Sequence, residues 1–178
     1  MTRSPIQNFP KSNGHARCQP GLKPVARQSN LIVSSMNQMS EQELRQELIK
    51  ELKEQGKPFG LYFKDIEGGF TSTGRMEPNA FIVLPLVVYK IYRDGRTDKL
   101  VRGVDLIGTP LTTFGKIVAT GRQLEAFNGI CGAESGGVPV SAVSPSILVS
   151  QIEVQKKARS QNTPPILPPP PENVRESR

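Results

Sequence analysis

Only one stretch of this chain, residues 40–56, carries the marks of a full-length helix; from residue 59 onward the pattern is strands and turns. Ser40 and Glu43 stand three apart as a capping box, which satisfies otherwise orphaned amides at a helix start. Leu44, Leu48 and Leu52 recur at i, i+4, and Ile49 widens the apolar stripe. Gly56 supplies the C-terminal stop of a helix expected over Glu41–Gln55. Its charged face (Glu41, Arg45, Lys50, Lys53, Glu54) is a solvated surface. A single amphipathic helix must bury its stripe on something else, and a sheet is what the rest of the chain can offer.

Before the helix, Leu31–Val33 is a short strand candidate. After it, Phe59–Lys64 reads as a strand, with Gly68-Gly69 as a turn. Phe81–Tyr92 is a strand divided by Pro85, and Asp94-Gly95 turns it into a return strand over Lys99–Leu106. A second helix is expected from Pro110 to Ala119, with Thr109 as cap, Pro110 at the first helical position and Gly121 at the end. Asn128–Pro145, full of small residues, reads as a loop around Cys131, and Ile147–Val154 as a last strand. Sixteen glycines and 16 prolines in 178 residues suit such a turn-rich chain. The expected class is α+β: mainly antiparallel sheet, one longer and one short helix, and a disordered Pro-rich C-terminal tail. The expected organisation is an irregular segment over 1–30, a domain over 31–156 and the tail over 157–178.

The net charge of +7 lies at the ends. Residues 1–39 hold Arg3, Lys11, Arg17, Lys23 and Arg27 without an acid, and residues 156–178 carry five bases against Glu172 and Glu176. The centre is nearly neutral, so it has no basic face to track phosphates, and nucleic acid is not an expected partner. The first residues lack an apolar signal core, and the longest apolar run, Ala80–Val88, is far short of a membrane span. Two cysteines, Cys18 and Cys131, allow one disulfide at most; a reducing, cytoplasmic setting is expected.

His15 is the single histidine, so the chain cannot assemble a Cys/His zinc cluster by itself. H-E-x-x-H, C-x-x-C, P-loop and Gly-x-Ser-x-Gly motifs are all missing from it. Cys131 remains, between Gly129 and Gly132 and followed by Glu134. Glycine neighbours leave a thiolate sterically open for a borderline metal such as zinc, although an isolated cysteine is more often a small buried hydrophobe.

Four further segments fall in an order that resembles the C-terminal region of the TldD/PmbA family, the modulator of DNA gyrase family of metallopeptidases. Pro24-Val25-Ala26-Arg27-Gln28-Ser29-Asn30 is similar to the family's P-x-x-R-x-[ST]-N segment. Gly68-Gly69-Phe70 with Thr73-Gly74 resembles its GG…TG turn. Tyr92-Arg93-Asp94-Gly95, then Val101-Arg102-Gly103 and Leu106-Ile107-Gly108, resemble its hairpin and the helix beyond. Gly129-Ile130-Cys131-Gly132-Ala133-Glu134 leads into Val138-Pro139-Val140 and Ser144-Pro145 as in its G-x-C-G-x-E…P-V…P block. The resemblance runs from about Asn13 to Lys157.

In such enzymes two histidines of an H-E-x-x-x-H helix and one distant cysteine hold the metal. The resemblance therefore implies that Cys131 is a zinc ligand, that the helix glutamate is the general base and that the substrate is unfolded peptide lying along strand edges. Arg27 and Asn30 become candidates for fixing the loop that leads into the sheet, with Gly129, Gly132 and Glu134 supporting the cysteine loop. The alternative for Glu134, and the favoured one, is that it simply points at solvent. The histidine motif belongs upstream of the matched region, and His15 sits in no such motif. The expectation is a truncated start, with no catalytic residue in this chain and no activity from it alone. The other reading is a non-catalytic scaffold, paired as a homodimer or as a heterodimer with a paralogue.

Overall fold

A computed structural model describes residues 14–72, 74, 76 and 79–157. The expected tail over 157–178 therefore lies, but for Lys157, outside the described residues. The observed class is as expected: mainly antiparallel sheet with two helices. Two short strands, β1 (Ala16–Arg17) and β2 (Val25–Ala26), form a two-rung ladder within the segment expected to be irregular. A three-stranded sheet has the order β3 (Asn30–Ile32), β9 (Gly136–Val149), β8 (Ile117–Ala133). A five-stranded sheet has the order β10 (Glu153–Lys156), β7 (Val104–Gly108), β5 (Ala80–Tyr92), β4 (Phe59–Ser72), with β6 (Lys99–Val101) also on β5.

Helix α1 (Glu41–Glu54) has both halves of its capping box, and Gly56 comes after it at a φ of 66°. Its leucine stripe joins the two large sheets. A Cβ built at Gly121 of β8 would lie 3.1 Å from Leu44 Cδ1, and one at Gly60 of β4 would lie 2.9 Å from Leu48 Cδ1. Gly121 is thus not a helix stop but a strand residue that lets the helix close on β8. Leu44 and Leu52 are buried there, and Val88, Ile91, Leu106 and Ala119 carry the burial into the sheets.

The Gly68-Gly69 pair is also strand rather than turn, because β4 runs unbroken through it opposite β5. A Cβ at Gly69 would meet the Ile82 carbonyl oxygen at 2.4 Å, so glycine is what allows the two backbones to approach. Pro85 does not divide β5. It disturbs the neighbours instead: β4 shifts register around Ile66, which lies opposite Pro85. On the other side the expected Lys99–Leu106 strand splits into β6 and β7 about Gly103, at a φ of 72°. A residue without an N–H in mid-sheet removes a ladder bond, and bulges and breaks collect beside it.

The second helix, α2, is shorter than expected, Pro110–Phe114. Thr109 occupies the cap position without a side-chain cap bond, and its hydroxyl meets Thr112 Oγ1 at 2.8 Å. From Ile117 the chain pairs with Val149 of β9, and long-range pairing overrides the helical pattern. The last strand also divides: β9 continues to Val149, and β10 begins separately at Glu153. No helix among the described residues is long and apolar enough to cross a membrane.

Candidate functional site

Cys131 lies on a strand, not on a loop. β8 and β9 form one hairpin whose pairing continues from Leu124↔Pro145 to Ala133↔Gly136, leaving only Glu134 and Ser135 as the turn. The reason is visible at Gly136, whose φ of 81° lets the chain re-enter the sheet straight after the turn. Small residues with weak strand propensity are held in register by the partner strand rather than by their own preference.

Strand alternation puts Gly129, Cys131 and Ala133 on one face, across from Val138, the register partner of Cys131. Val138 is 2% exposed and Cys131 half-buried, whereas Ile130 on the opposite face is 78% exposed. The thiol is free, and a Cβ built on Gly132, which faces the other way, would meet nothing within 4 Å. Cys18, also free and half-buried, lies next to β1.

The end of this hairpin is clasped by the segment 17–27. Arg27, 2% exposed, donates from Nη1 to Ser135 Oγ and to the Gly136 carbonyl, each at 2.7 Å, and from Nη2 to the Cys131 carbonyl. Ser135, 1% exposed, donates its own hydroxyl proton to the Arg17 carbonyl at 3.0 Å, and its carbonyl accepts from Gln19 N at 2.9 Å. Gln19 Oε1 accepts from Gly137 N at 3.1 Å. Arg27 thus ties the segment leading into the sheet to the cysteine hairpin.

Among the other expected supports, Asn30 stands apart from the hairpin end. Asn30 pairs with Ser141 on β3, further down the sheet, and its N–H bonds Ser29 Oγ. Glu134 is an exposed turn residue, and Gly129 packs against the Phe127 ring. Ser135 went unnoticed in the sequence; its position between Glu134 and two glycines was the available sign of a tight hairpin turn. Among the described residues no three His, Cys, Asp or Glu side chains gather as a metal-holding group. One free thiol suits a single ligand position, not a complete site.

A family profile described as the PmbA/TldA metallopeptidase C-terminal domain matches residues 8–156 of the 178. The chain belongs to the PmbA/TldA family. No curated protein sequence matches it. The matched region takes in the whole clasp: the Arg27 segment, both large sheets and the Cys131 hairpin of this PmbA/TldA domain.

Proposed function

We propose that this PmbA/TldA C-terminal domain supplies Cys131 as one zinc ligand of a peptidase whose histidines and catalytic glutamate come from the family's H-E-x-x-x-H helix, a motif that these 178 residues do not contain. The observation that carries this is the placement of a free, half-buried thiol on a braced hairpin end within a metallopeptidase domain. Zinc bound in such a site supplies Lewis acidity toward a peptide carbonyl and acidifies water. The chain's own work is to hold the thiol in place and to offer strand edges to an extended peptide. β4 and β8 each end a sheet, and an unfolded peptide could add to either through its backbone. We propose a dimer, with a second copy or with a paralogue, as the working unit; of the two only a paralogue could bring the histidines, and the two free thiols suit a reducing cytoplasm.

The test is hydrolysis of an unfolded peptide by the chain mixed with a histidine-bearing family member whose own ligand cysteine is replaced by serine and which is inactive alone. Activity should rise on mixing and disappear with Cys131→Ser. Equal activity with Cys131→Ser would sink the ligand role and leave the scaffold reading.

A further inference from the structure

We infer that Arg27 is the positioning residue for Cys131, through a guanidinium bracket across the two arms of the hairpin end. The inference rests on the ligand role proposed above for Cys131. Its physical basis begins with the glycines. Gly129 and Gly132 flank Cys131, and Gly136 and Gly137 stand across the hairpin beside Val138. The ladder holds this stretch in register, but glycine leaves its backbone torsions loosely restrained, and a functional group needs placement to roughly 0.5 Å.

Arg27 removes that freedom. One nitrogen holds the Gly136 carbonyl on β9 and the Ser135 hydroxyl at the turn; the other holds the Cys131 carbonyl on β8. That carbonyl belongs to the rigid peptide plane joining Cys131 to Gly132, so gripping it fixes the backbone frame from which the thiol projects. A planar fork can span both arms, whereas a lysine ammonium on its single stem cannot. Arg27 is buried and these three acceptors are all neutral, an arrangement that is tolerable only when the guanidinium protons are well placed.

The experiment is alkylation of Cys131 by iodoacetamide in the full chain under native conditions, with mass spectrometry of the Cys131 peptide as the readout. Arg27→Lys keeps the charge and isolates the bracket; Leu52→Ala in α1 is a destabilised control remote from the hairpin. Arg27→Lys should raise the Cys131 alkylation rate about fivefold, the factor set by losing a hydrogen bond of ordinary net strength. Ser135→Ala, which leaves both carbonyl grips, should raise it about twofold on the same scale. Leu52→Ala should leave it unchanged even where it lowers the melting temperature as much. An unchanged rate in folded Arg27→Lys, or an equal rise in Leu52→Ala, overturns the inference. If Arg27→Lys fails to fold, Ser135→Ala decides: no rise there overturns it too. Alkylation needs no metal, so a failure of the zinc-ligand role would leave this result standing, and the reverse.

Discussion

Gly136 and Gly95 share nearly the same backbone, with φ of 81° and 79°, but not the same surroundings. A Cβ on Gly95 would meet nothing within 4 Å, so Gly95→Ala tests left-handed strain alone, about 1 kcal/mol. A Cβ on Gly136 would lie 2.6 Å from Gln19 Oε1, 2.7 Å from Gln19 Cβ and 2.9 Å from Leu22 Cδ1. The Gln19 Cβ cannot swing away as a side-chain tip could, so the segment itself must retreat. Two bonds then weaken, Gln19 N to the Ser135 carbonyl and Gly137 N to Gln19 Oε1, at about 1 kcal/mol each. Gly136→Ala should therefore cost about 3 kcal/mol, some 2 kcal/mol more than Gly95→Ala. Urea unfolding with a common m-value measures the difference. In a Gln19→Gly background, which removes the crowding atom, the excess should shrink. If Gly136→Ala costs no more than Gly95→Ala, the clasp of segment 17–27 on the hairpin is not a stabilising contact.

Ser40→Ala removes the capping box and should cost about 1 kcal/mol in thermal or urea unfolding. In the same variant the Glu43 carboxyl, held below its ordinary 4.5 chiefly by the Ser40 backbone N–H and then by the Ser40 hydroxyl, should titrate higher by NMR. Arg45 grips Asp98 with both nitrogens, at 2.9 and 2.6 Å, and holds its carboxyl below the ordinary 3.8. A lowered folded pKa adds stability that is whole above the unfolded value and is lost as pH falls through the folded one. Because the pair is largely solvent-screened, Asp98→Asn should cost about 0.5 kcal/mol at pH 7, and the gap from the unaltered chain should close only in acid below about pH 4.

The α1 helix was legible because its start, stripe and stop are all local: Ser40 bonds Glu43, and the leucines repeat within the segment. The hairpin around Cys131 was not, because glycines and other small residues dominate Gly129–Ser141 and leave Ile130, Val138 and Val140 too scattered to announce strands without the partner strand. Gly68-Gly69 and Gly121 misled for a related reason. A glycine signals a turn only when its φ is positive; these permit close approach, to Ile82 and to Leu44. Pro85 was visible as a break, but the break fell on its neighbours. Cys131 gained meaning only from the ordered resemblance across the chain. The bond from Arg27 to its carbonyl spans 104 residues, and no local pattern announces such a contact.

The zinc-ligand role of Cys131 is tested most directly by Cd2+ added to the chain together with a histidine-bearing family member whose own ligand cysteine is replaced by serine, read as thiolate-to-metal ultraviolet absorption. The chain as it stands and Cys18→Ser should give the same band at one Cd2+ per site, and Cys131→Ser should give none. A band that survives Cys131→Ser, or one that vanishes with Cys18→Ser instead, would contradict the assignment of Cys131 as the metal ligand.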